Sequence, residues 1–174
     1  MSTFELEIWD EKCEKVIFYT VKWQDAEDSE TDKFFFKYEK THIEALKELN
    51  ILLLDTIGTD HGAIDEFFNR FENRVTGLPP QGAVRIGEFK VHFQHFPLRL
   101  YALRINDRED IVVLFSGGIK SSEANQGSPD LNLKFIEANA FGRRIEEALR
   151  DKTIFIDEES RKLKSFDNSE IIIL

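Results

Sequence analysis

Apolar and polar positions alternate from the start of the chain, with Phe4, Leu6 and Ile8 set against Glu5, Glu7 and Trp9, the period of a half-buried strand. Residues 14–23 follow with Val16, Ile17, Phe18, Tyr19, Thr20 and Val21, β-branched and aromatic types that predict a second strand. Four residues, Asp10 to Cys13, separate the two, which suits a hairpin loop. The five acids within 24–32 predict a solvated loop, and the run Phe34, Phe35, Phe36, Tyr38 a short helix. Thr41 and Glu44 stand at the spacing of a capping box, ahead of Ile43, Leu46, Leu49, Leu53 and Ile57 at helical spacing, with Gly58 as the stop. A further helix is predicted from Thr59 or Asp60, with the stripe Ile64, Phe67, Phe68, Phe71 and Val75, ended by Gly77-Leu78-Pro79-Pro80. Together these two make an αα-hairpin.

Periodicity then returns to two. Residues 83–120 read as three antiparallel strands: Phe89, Val91 and Phe93 take one face against Lys90, His92 and Gln94, and Leu98 to Ile105 follows Pro97. Ile111 to Phe115 is apolar on both faces, as a central strand would be, with Gly117-Gly118 after it. Residues 121–127 are polar and predict a mobile loop. Ser128-Pro129 opens a helix with apolar positions Leu131, Phe135, Ala138, Phe141, Ile145 and Ala148, and with Glu146 and Arg150 placed to pair. Thr153 to Ile156 predicts another strand, and Ile171 to Leu174 an edge strand or a loose end. The fold class is α+β, with an αα-hairpin and a C-terminal helix on one face of a mainly antiparallel sheet. One domain spans 1–174, divided into an N-terminal β-hairpin extension (1–30), a core (31–157) and a tail (158–174).

Charge changes this picture in one place. The chain carries a net −10, and residues 1–82 hold nine Lys and Arg against eighteen acids. Between Ala83 and Ile105 the balance reverses to four cations, Arg85, Lys90, Arg99 and Arg104, against Glu88 alone. A cationic sheet on an anionic body points to phosphate or an acidic partner, while the overall charge argues against a general nucleic-acid coat. A single cysteine, Cys13, excludes an intrachain disulfide and fits a reducing compartment. Neither a signal peptide nor a membrane-length apolar run is present, so the expectation is a cytoplasmic protein without a membrane partner.

The chemistry is limited by what is missing. Gly117-Gly118-Ile119-Lys120 lacks the spacing of a phosphate-binding loop. His42, His61, His92 and His95 are scattered, so no metal and no cofactor is implied. Cys13 as a nucleophile needs a base that the sequence does not place. What remains is the basic and aromatic set on the sheet. Metal-free RNA cleavage needs a base, an acid and fixed cations around the phosphorus oxygens, roles open to Arg, Lys, Tyr and His. Arg99 and Tyr101 share a strand face and Lys120 follows the adjoining strand, so all three can ring one groove. Arg104 has the parity of Leu98, Leu100 and Ala102 and faces away from Arg99 unless a bulge intervenes. Arg85, Lys90, His92 and His95 are candidates for substrate binding. The same residues also read as a solvated arginine, a sheet tyrosine and surface histidines.

Three segments carry a family resemblance: Phe67-Phe68-Asn69-Arg70 with Gly77-Leu78-Pro79-Pro80, Pro97 to Ile105, and Asp110 to Ser121. Over about residues 31–151 the chain resembles the RelE/ParE-like (HigB-type) toxins of bacterial type II toxin–antitoxin systems. In these a strand of the form LR-x-Y-x-LR precedes a strand with a lysine-bearing turn and then a helix. The resemblance implies a toxin acting as an mRNA interferase or endoribonuclease. Its implied catalytic residues are Arg99, Tyr101, Arg104 and Lys120, and its implied partners are RNA or the ribosome and a cognate antitoxin of the helix-turn-helix kind. The chain departs from the pattern in its length, its acidity, and the sequence Lys120-Ser121-Ser122 where a double lysine is usual. The alternative reading is a non-catalytic protein-interaction module on the same scaffold.

Overall fold

The computed structural model describes residues 2–120 and 129–174. The elements run β1 (Phe4–Asp10), β2 (Ile17–Trp23), α1 (Glu30–Tyr38), α2 (Ile43–Asn50) continuing into a π-helical run (Ile51–His61), then β3 (Phe71–Glu72) and β4 (Val75–Leu78). Next come β5 (Ala83–Ile86), β6 (Phe89–His92), β7 (Leu98–Arg104), β8 (Ile111–Ile119), α3 (Pro129–Arg150), β9 (Ile154–Asp157), β10 (Lys162–Ser165) and β11 (Ile172–Ile173). Seven strands form one sheet in the order β11-β1-β2-β8-β7-β4-β3, mainly antiparallel, with β2 and β8 as the parallel pair. The mixed α+β class is as the hydrophobic pattern predicts.

Both faces of the sheet are covered, whereas the pattern placed the helices on one. Tyr19, Tyr101, Val113 and Phe115 meet Leu131, Phe141 and Ile145 of α3. On the other face Phe18, Leu100, Val112 and Leu114 meet Phe34, Leu46, Leu49 and Leu53. The β1–β2 hairpin is part of the main sheet, because β2 pairs with β8, and the C-terminal β11 extends the same sheet from β1. Extension, core and tail are therefore one hydrogen-bonded unit. Where β2 and β8 part, Thr31 Oγ1 lies 2.7 Å from Thr20 Oγ1 and donates towards the Leu114 and Phe115 carbonyls at 3.1 and 2.9 Å. Those buried acceptors are thus satisfied by the first turn of α1. The β9–β10 hairpin is tied down by the Leu163 N–H donating to the Tyr19 hydroxyl at 2.8 Å.

The helical pair differs from its predicted form. The capping box does not close: Thr41 Oγ1 lies 2.9 Å from His42 Nδ1, and the helix begins after His42 without a side-chain cap. The helix passes through Gly58 and ends at Gly62, whose φ of 84° is the left-handed geometry that glycine favours. No helix spans 59–75. Phe67 and Phe68 are buried against the second core from a turn, Phe71 is 64% exposed on the edge strand β3, and Val75 starts β4. Turns set these aromatics at a helix-like interval by coincidence. Residues 83–120 form four strands in two sheets, because β5 and β6 pair only with each other. Glu146 is taken by Arg74, whose Nε lies 2.5 Å from its carboxylate, in place of the expected pair with Arg150. The polar stretch 121–127 and the cap at Ser128 lie outside the described residues.

Strand β8 carries a bulge. Leu100 faces Gly117 and Ala102 faces Leu114, so Phe115 and Ser116 together oppose Tyr101. The strands approach so closely there that a Cβ on Gly117 would lie 1.7 Å from the Arg99 carbonyl oxygen. Because the obstacle is backbone, Gly117→Ala is expected to destabilise the fold by about 3 kcal/mol, the upper end of ordinary single-site losses. Thermal and denaturant unfolding measure it; a loss below about 0.5 kcal/mol contradicts the packing described.

A candidate anion site at the end of the central strands

Strands β7 and β8 emerge together at one end of the sheet, and their registers bring Arg99 opposite Gly118. Arg99 has the parity of Tyr101, and its side chain runs across β4 at Gly77. A Cβ on Gly77 would sit 2.6 Å from Arg99 Cδ and 3.0 Å from Arg70 Cδ, so two arginines share the space that this glycine leaves. Arg70 is held from both ends of its residue: its carbonyl accepts from Gly77 N–H at 3.0 Å, and its Nε donates to the Pro79 carbonyl at 3.2 Å. Lys120 follows β8, and its N–H donates to the Pro97 carbonyl at 2.8 Å.

These three cations meet around a small hollow of about 30 Å³, which His95, Phe93 and Phe96 also line. That is room for one or two water-sized groups, such as the non-bridging oxygens of a phosphate. Burial, followed by the charges of Arg99 and Arg70, lowers the pKa of Lys120 below the ordinary lysine value. Three cationic side chains thus lie close together on a chain of net charge −10. His95 holds a φ of 57°, a left-handed backbone that few non-glycine residues adopt. Phe93 and Phe96 stand edge to face with ring centroids 5.9 Å apart.

Of the residues singled out from the sequence, Arg99, Lys120 and His95 come together here. Two of the four implied catalytic residues do not. Tyr101 is 2% exposed, packed in the core beneath α3 with its ring centroid 5.8 Å from that of Phe135, so it presents no face to a base. Arg104 lies on the opposite face, where its Nη1 meets the Asp65 carboxylate at 2.8 Å and the Ala63 carbonyl at 3.1 Å, with its guanidinium 5.1 Å from the Phe68 ring centre. The strand parity that separates Arg104 from Arg99 survives because the bulge is in β8 and leaves the alternation of β7 intact. Arg85, Lys90 and His92 occupy the exposed face of the β5–β6 hairpin, with Arg85 directly opposite Lys90, while Val84 packs inward. Sequence reasoning missed Arg70 by reading it as helical. Its signal was its position ahead of a short strand containing Gly77.

Cys13 is poorly placed to act as a nucleophile. Its thiol lies 3.5 Å from the Leu54 carbonyl against Gly58, and burial, then the hydrogen bond with Asp10, pushes its pKa up to about 11. Among the described residues no group of three His, Cys, Asp or Glu side chains is arranged to hold a metal ion, and no helix is long and apolar enough to cross a membrane. Compared with protein-family models, curated proteins and solved structures, the chain matches none.

Two measurements test this geometry. Removing the Arg70 charge in Arg70→Met raises the Lys120 pKa towards the ordinary lysine value, read by NMR titration of the side-chain nitrogen; an unchanged value contradicts the clustering. At pH 8, alkylation of Cys13 by iodoacetamide runs about 10²-fold slower in the native chain than in the unfolded one, because little thiolate is present.

Proposed function

We propose that the chain is a toxin-class endoribonuclease of the RelE/ParE-like type, held inactive by a cognate antitoxin, with Arg99, Arg70, Lys120 and His95 as its working residues. The observation that carries this reading is the convergence of three cations, a histidine and two phenylalanines at one end of the sheet. The chain order supports it as well, since a helical pair is followed by β4, β7 and β8 in antiparallel succession and then by α3.

The chemistry follows from the side-chain types. Arg99 and Arg70 hold the non-bridging oxygens of a phosphodiester and stabilise the charge that grows on them. Lys120, its proton affinity lowered by burial and then by the two guanidinium groups, is placed to take the proton of the ribose 2′-OH as that oxygen attacks phosphorus. The bond from phosphorus to the 5′-oxygen breaks, and His95 supplies the proton that the leaving oxygen takes up. The products are a 2′,3′-cyclic phosphate and a 5′-hydroxyl. Phe93 and Phe96 offer the aromatic surface that Tyr101, buried in the core, does not.

The second reading is a protein-interaction module without catalysis, favoured by the net charge of −10 and by the absence of Tyr101 and Arg104 from the hollow. Expression in a bacterial host, together with incubation of the purified chain with RNA and with translating ribosomes, separates the two. The nuclease reading expects growth arrest and cyclic-phosphate ends, with cleavage falling about 10²- to 10³-fold in Arg99→Ala and Lys120→Ala. Harmless expression with RNA left uncut in both assays favours the interaction module.

A further inference from the structure

A second concavity of about 350 Å³ shares Phe93 and Phe96 with the cationic hollow. Its other wall is the helical segment 43–61, which contributes Glu48, Ile51 and Thr56 where α2 passes into the π-helical run, and Val91, His92 and Gln94 close the strand side. The volume is that of a small-molecule site, and the lining is mixed: aromatic and aliphatic surface with a few polar groups. Ile51 is 56% exposed at this groove, an apolar side chain without cover. π-Helical turns are themselves frequent at functional sites.

We propose that this groove is a nucleobase subsite, selective for guanine, that receives the base attached to the phosphate held by Arg99, Arg70 and Lys120. The proposal rests on the nuclease reading for its phosphate. The argument for this occupant is complementarity across the shared aromatic pair. One side of Phe93 and Phe96 gathers cationic side chains without room for more than phosphate oxygens, and the groove is lined mainly by apolar surface, with Glu48, Thr56, His92 and Gln94 as its polar groups. A nucleotide is the ligand class that joins an anion to a flat heteroaromatic ring, and single-stranded RNA is read through bases stacked on aromatic side chains.

Guanine is singled out by Glu48. An ionised carboxylate only accepts hydrogen bonds, and the Watson–Crick edge of guanine presents two adjacent donors, N1–H and the 2-amino group. Adenine presents one donor beside an acceptor, which a carboxylate repels. The Gln94 side chain has an amide that donates to the guanine O6.

The test is NMR titration of the full chain with inorganic phosphate, guanosine 3′-monophosphate, adenosine 3′-monophosphate and guanosine. Phosphate is expected to shift Arg99, Arg70 and Lys120 and to leave Ile51, Thr56 and Gln94 unmoved. Guanosine 3′-monophosphate is expected to shift the Ile51 methyls, Thr56 and the Gln94 amide as well, and to bind about tenfold more tightly than phosphate. It should bind more tightly than the adenosine nucleotide, and Glu48→Gln, a surface change, should abolish that preference. If the nucleotide binds no more tightly than phosphate and leaves Ile51 and Gln94 unshifted, the base subsite is overturned while the anion site stands. If guanosine shifts the groove and phosphate leaves Arg99 and Lys120 unmoved, the subsite is upheld and the nuclease reading loses its phosphate. Equal affinity for the two nucleotides overturns the guanine assignment.

Discussion

Strand β8 is buried on both faces, and the rest of the molecule is arranged around that constraint. Ile111, Val113 and Phe115 belong to the core under α3, while Val112 and Leu114 belong to the core under the N-terminal helices, and all five are at most 1% exposed. A strand in this position has no solvent face on which to place charge. It takes a parallel partner, β2, and an antiparallel one, β7, and its neighbours inherit much of the same burial. Polar chemistry is thereby driven to the strand ends, and the end where β8 gives way to glycines is where Arg99 and Lys120 emerge.

The glycines decide what that end can hold. Gly117 lets β8 lie against the Arg99 backbone, and Gly77 leaves the lane through which Arg99 and Arg70 cross β4. A single bulge at Phe115 and Ser116 resets the alternation of β8, so that Gly118 and Arg99 share a face. Arg99 is only 8% exposed, so its guanidinium is largely withdrawn from water. Burial, and after it the charges of Arg99 and Arg70, lower the proton affinity of Lys120.

The fold was legible where side-chain period and burial coincide. The β1–β2 alternation, the two-sided apolar run of β8 and the apolar stripe of α3 from Leu131 to Ala148 each mark an element, because one residue set packs against one neighbour. It was illegible at 59–75, where Phe67 and Phe68 sit in turns and fill the second core from there. The parallel joining of β2 to β8 was equally hidden, since nothing local in Ile17 to Thr20 names a partner 94 residues away. At the site, strand parity correctly separated Arg104 from Arg99. It placed Tyr101 on the face of Arg99 without revealing that α3 covers that face. Arg70 and His95 join the hollow through turns, and turn geometry leaves little periodic trace.

Charge on two length scales then has to be weighed. Beyond a Debye length of about 8 Å at physiological ionic strength the chain presents its net negative charge, which opposes the approach of a polyanion. Within that distance the nearest charges, Arg99, Arg70 and Lys120 among them, weigh more than the distant ones. Salt weakens the long-range repulsion and the short-range attraction together, so the two responses offset. A basic nucleic-acid protein loses affinity steeply as salt rises, because its whole surface contributes to binding. On the proposed reading, recognition is confined to a few phosphate contacts, and discrimination between ligands would fall to the groove next to Phe93 and Phe96 more than to charge.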